Sequence, residues 1–184
     1  MSWVIWVVLA AIVVLALIFV ALYNKLVKLR NRCEKAWAQV DVQLRRRYDL
    51  IPNLVETVKG YASHERETFE AVTNARAAAQ SATGPAEQGA AEGLLSAALG
   101  RLIAVAEAYP ELQADENFRQ LQEELAQTEN RIAVSRQVYN DTVLTYNTAI
   151  QTVPGVFFAG PFGFAKRDFF EAEDATREAP RVAF

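Results

Sequence analysis

From Trp3 to Tyr23 the chain runs through 21 consecutive apolar or aromatic residues without a charge, a proline or a glycine. A helix rises about 1.5 Å per residue, so the run is about 31 Å long and matches the hydrocarbon thickness of a bilayer. The pattern then changes without a helix breaker. Leu26, Leu29, Cys33, Trp37, Val40 and Leu44 follow at steps of three and four, the spacing of one helix face. The first proline is Pro52. The sequence therefore predicts a helix that is half in lipid and half in a helical bundle, with Trp37 in the bundle core.

Charge supports this division. The first charged residue is Lys25. From Lys25 to Arg47 the net charge is +6, and the remainder of the chain carries −9. Lys25, Lys28, Arg30, Arg32 and Lys35 form a membrane-proximal basic set, each worth about 1 kcal/mol beside anionic lipid. Their position predicts an outside N-terminus and a cytoplasmic bundle, with the membrane crossed once. A cleaved signal peptide would have a basic start, a shorter apolar run and a small-x-small cleavage site, so an uncleaved anchor is expected. A single Cys and a single His leave no disulfide framework and no His/Cys metal site within one chain.

The expected fold is all-α: an N-terminal transmembrane helix continuous with a long antiparallel four-helix bundle, then an irregular tail rich in Phe, Pro and Gly. The expected divisions are an anchor at 1–24, a bundle at 25–152 and a tail at 153–184. The bundle helices are placed at about 25–50, 51–80, 86–108 and 114–152, with a boundary at Asp49 to Pro52, where proline suits a first turn. Phe118, Leu121, Leu125, Thr128, Ile132, Ser135, Tyr139, Thr142 and Tyr146 give the last helix a long seam that calls for helical partners. The tail holds seven of the ten Phe: Phe157, Phe158, Phe162, Phe164, Phe169, Phe170 and Phe184. They must dock on the bundle, a neighbouring subunit or a membrane. Subunit contact is the expectation, because Pro154, Pro161 and Pro180 disfavour a long amphipathic interfacial helix.

Few residues suggest chemistry. His64 stands alone. Glu107, Glu111, Asp115 and Glu116 lack the spacing and glycine of a calcium loop, and acids are ordinary near a helix N-terminus. Cys33 belongs to the apolar stripe. Arg45, Arg46 and Arg47 suit pairing with acids or lipid better than nucleic acid. A polar and aromatic set beside the seams is more informative: Arg45, Arg47, Tyr48 and Asn53 early, and Glu129, Asn130, Arg136, Tyr139, Asn140 and Tyr146 late. Buried polar groups must pair, so this set predicts a network that fixes helix register or, alternatively, a ligand or partner site.

Several stretches resemble the LemA family of bacterial membrane proteins. They are Tyr23 to Val27, Ala36 to Glu65, Leu99 to Asp141, Thr145 to Pro154, and the Phe-rich end from Phe162 to Phe184. The resemblance implies a single-pass membrane protein with a soluble helical bundle. It supplies no catalytic residues, no cofactor and no metal. The expected function is a non-enzymatic, self-associating scaffold in contact with membrane lipid; the alternative is a signalling or transport adaptor that binds another membrane protein. No nucleic acid and no small-molecule substrate is implied.

Overall fold

The computed structural model describes residues 2–171, and among them there is no strand. Phe184, expected at a subunit contact, lies outside them. Among the described residues six helices follow in order: α1 Ser2–Tyr61, α2 Arg66–Ser81, α3 Gly84–Glu107, α4 Pro110–Ala114, α5 Glu116–Gln151 and α6 Gly155–Ala159. The chain is all-α, as its periodicity requires. It divides into two compact units. Among the described residues, one holds 2–39 with 137–167; the other holds 40–136 with 168–171.

The second unit is a bundle of α2, α3 and the adjoining parts of α1 and α5. Leu44, Ile51, Leu54 and Val58 of α1, Val72 of α2, Leu95 and Leu102 of α3, and Phe118 of α5 are buried in it. Its connections are short. Ala62–Glu65 joins α1 to α2, and Ala82 and Thr83 join α2 to α3. Gly84 begins α3 at a φ of +82°, where a side chain would be strained. Asp115 Oδ1 accepts from the Phe118 N–H at 2.9 Å and so caps α5. That bond holds the Asp115 carboxyl below the usual carboxylate range.

The expected helix boundary at Asp49 to Pro52 is corrected: α1 continues through Pro52 to Tyr61. An interior proline leaves the carbonyl four residues earlier without its N–H donor. Here that carbonyl belongs to Tyr48, and Arg76 Nε donates to it at 2.9 Å. A side chain from α2 thus replaces the missing backbone bond. α1 ends later, at the turn where Glu65 N–H reaches the Ala62 carbonyl.

In the first unit, α1 packs against the C-terminal part of α5 and the segment that follows. Leu26, Leu29, Cys33 and Ala36 are buried with Tyr139, Val143, Tyr146 and Ile150. Cys33 is fully buried, and burial pushes its thiol up. Trp37 differs from expectation. Ala36 takes the core position, and Trp37 is half-buried on its flank, with its ring 5.2 Å from that of Tyr139. From Trp3 to Ile18 every residue of α1 is exposed. The tail also differs in part from an irregular chain, because it contains the one-and-a-half-turn helix α6.

Candidate functional site: a buried polar cluster and an adjoining groove

The sequence places Arg47 on the inward side of α1, where helix packing takes it out of water: Arg47 is 2 % exposed. Its guanidinium is held by α3 and α5. Nη1 reaches Glu92 Oε2 at 2.6 Å, while Nη2 reaches Ser96 Oγ at 2.8 Å and Glu129 Oε1 at 2.7 Å. The neighbouring Tyr48 hydroxyl donates to Glu92 Oε1. Gln88 Nε2 donates to the Tyr48 hydroxyl at 2.8 Å and to the Ala79 carbonyl at 2.9 Å. Four helices therefore meet through one connected set of hydrogen bonds, in which Glu92 is the shared acceptor.

The electrostatics follow from burial. Desolvation raises the Tyr48 hydroxyl well above the ordinary tyrosine range, and the hydrogen bond to Glu92 raises it further. Tyr48 therefore stays a donor at physiological pH. Burial also raises the Glu129 carboxyl; Arg47 pulls it back, Glu92 pushes it up again, and the net direction is upward. One guanidinium between two carboxylates offsets part of the desolvation that each charge suffers on burial.

Beside the cluster lies an open groove of about 820 Å³ between α3 and α5. Leu99, Ile103, Leu125 and Ala126 give it an apolar floor, and Arg47, Arg119, Glu123 and Glu129 place two charges of each sign along it. It holds no nucleophile paired with a base, the minimum for covalent catalysis. What the arrangement can do is hold helices in register and present a mixed surface.

The polar set expected from the sequence divides. Arg47, Tyr48 and Glu129 come together, and Asn130 lines the groove. Arg45 pairs instead with Asp41 on the surface at 2.8 Å, and Asn53 is exposed. Arg136 is half-buried. The Tyr139 ring lies tilted against that of Trp37, and Asn140 is half-buried in the same unit. The Tyr146 hydroxyl donates to the Ala165 carbonyl at 3.0 Å, and Asn147 binds the backbone of Arg167 through both its amide atoms. Gln88, Glu92 and Ser96 escape the sequence reading because they sit in a stretch rich in Ala and Gly. Their i, i+4, i+8 spacing beside Leu95 and Leu99 is the signal that identifies them.

Of the basic set, Lys25, Lys28 and Arg32 line a shallow cleft with Ala21, Asn24 and Leu29. Lys35 is exposed, and the Arg30 guanidinium lies 5.5 Å from the centre of the Phe164 ring. Of the tail phenylalanines, Phe164 and Phe170 are buried within the chain, Phe158 and Phe169 are half-buried, and Phe157 and Phe162 are exposed. His64 is exposed in the turn after α1.

The model of the LemA family matches residues 36–184. The chain belongs to the LemA family. The match starts within α1, past the apolar run, and includes every residue of the Arg47 cluster. Among relatives, Magnetosome protein MamQ of Magnetospirillum gryphiswaldense is 28 % identical over 179 residues, covering 83 % of this chain and 66 % of MamQ. Magnetosome protein MamQ 2 of Paramagnetospirillum magneticum is similar to the same degree, with the same coverage. Protein LemA of Metamycoplasma hominis is 24 % identical over 139 residues, covering 73 % of this chain and 62 % of the relative. The chain thus spans slightly under two thirds of the length of these curated relatives.

Proposed function

We propose that this LemA-family chain is a non-enzymatic scaffold at a bacterial cell membrane, crossing it once and associating with further copies of itself. The observation that carries this reading is the contrast between the two ends of α1. From Trp3 to Ile18 the helix has no protein cover, although it is apolar enough and long enough to cross a membrane. Further along, its polar side chains Arg47 and Tyr48 are engaged by Glu92 and Glu129. Such a helix tethers a rigid bundle to lipid and leaves no reactive group at hand. The basic residues after the run favour a cytoplasmic bundle and an outside N-terminus. Self-association draws support from Val134 and Val138, one turn apart on α5 and both exposed.

A second reading, an adaptor for another membrane protein, is favoured by the open groove between α3 and α5. Co-expression of two differently tagged full-length chains separates the two readings. Recovery of one tag with the other from membranes in mild detergent supports the scaffold. If neither tag recovers the other, self-association is refuted.

A further inference from the structure

The segment after Thr152 returns to α1 beside the end of the apolar run. The Phe158 ring lies 5.4 Å from that of Phe19, edge-on. Phe162 lies 5.4 Å from Phe19 and 5.7 Å from Tyr23, and Phe164 lies 5.8 Å from Tyr23. Phe19 is one helical turn inside the run, so its ring sits about 6 Å deeper than Tyr23 along the helix. A ring that touches Phe19 shares its depth.

The outward side of this segment is apolar as well. Val153 is 74 % exposed, Phe157 69 %, Val156 45 % and Phe162 44 %. From Val153 to Phe164 there is no polar side chain at all. Water is a poor solvent for such a surface, whereas acyl chains are a good one. Hydrocarbon makes one further demand, that backbone donors be satisfied internally. Five of the donors in this segment meet it locally. Val156 N–H donates to the Thr152 carbonyl, Phe157 to Pro154, Phe162 to Phe158, Gly163 to Gly160 and Phe164 to Ala159. Pro154 and Pro161 have no N–H to satisfy. At the far edge the character changes: Arg30 covers Phe164, and Lys166 and Arg167 follow.

We infer that Val153–Phe164 is a membrane-inserted element, lying in the bilayer interface beside α1 with Val153, Val156, Phe157 and Phe162 against lipid. Its prolines do not argue against insertion, because α1 supplies the docking surface and no long amphipathic helix is needed. The inference rests on the reading that the apolar run of α1 lies in a bilayer.

Nitroxide labels on the full chain in nanodiscs of phosphatidylcholine and phosphatidylglycerol test it. The labels go at Val153→Cys and Phe157→Cys, each in a Cys33→Ala background. Leu15→Cys marks the run, and Leu94→Cys marks an exposed position of the bundle. Power saturation with oxygen and with a water-soluble nickel chelate reads the surroundings. The expected result is preferential oxygen access at Val153 and Phe157, close to that at Leu15 and opposite to Leu94. If both tail labels behave like Leu94 while Leu15 remains in lipid, the inference fails and the anchor stands. If Leu15 itself is open to nickel, the anchor reading fails and takes the inference with it. Tail labels shielded from both relaxants and broadened by a second spin would assign the surface to another copy of the chain and overturn the assignment to lipid.

Discussion

Arg47 sits between two carboxylates of unequal burial, and that inequality decides what each substitution does. Glu92 is buried, whereas Glu129 is half-exposed. Arg47→Ala leaves Glu92 in the core without its cation, so a loss of about 3–5 kcal/mol is expected, read as a lower thermal midpoint of the full chain in mild detergent. Unchanged melting would show that the cluster does not set stability. Glu129 supplies a pH signature. Its carboxyl is raised in the folded chain from an ordinary value of 4.5, so the folded state binds more proton between those two values. Its contribution to stability is therefore fully present below the ordinary value and is lost as pH rises through the raised one. Melting scans across that window should show the wild type losing stability with pH relative to Glu129→Gln; parallel curves would contradict the raised value. Glycines of α3 give a further contrast. A Cβ at Gly89 would collide with the Glu171 carbonyl, while one at Gly93 or Gly100 meets nothing within 4 Å. Gly93→Ala and Gly100→Ala should each raise stability by up to about 1 kcal/mol, and Gly89→Ala should instead lower it and speed proteolysis after Arg167. At this scale the sequence was only half legible. Arg47 and Tyr48 could be picked out because they interrupt an apolar stripe. Glu92 could not, because its burial depends on where α3 lands. Trp37 misled because Ala36, one position away, fits the core more closely.

At the scale of the element, α1 shows how tertiary contacts override a local signal. Pro52 reads as a helix start in the sequence, yet the helix passes through it, since Arg76 takes the Tyr48 carbonyl that proline leaves free. A hydrogen bond from a charged donor contributes about 1.5–3 kcal/mol. Arg76→Ala should therefore destabilise the chain by roughly that amount. In a Pro52→Ala background the backbone bond is restored, so the effect of Arg76→Ala should shrink. A double-mutant cycle on thermal midpoints measures the difference, and additive effects would show that Arg76 does not serve the proline. Two other boundaries were readable because their signals are local: Thr83-Gly84-Pro85 gives a turn and a helix start within three residues, and Tyr109-Pro110 ends a helix. The break between α1 and α2 was not, since it falls inside the helix expected over 51–80, and neither was α4. α6 was not readable, since five residues without a period carry no helical signature.

For the whole molecule, the long apolar run and the seams were enough to specify an all-α chain with a helix suited to a membrane. The course of the tail was not accessible in the same way. Its phenylalanines have no period of their own, and the rings of Phe19 and Tyr23 that receive them are more than a hundred residues away in sequence. That docking engages Phe158, Phe162 and Phe164 within the chain, and the proposed contact with a second copy falls to Val134 and Val138 of α5. The mass of full-length protein in lipid nanodiscs tests the scaffold reading most directly. A particle holding two or more chains, reduced to one by Val134→Glu with Val138→Glu at unchanged helix content, is the expected result. A single chain per nanodisc at every protein-to-lipid ratio would contradict it.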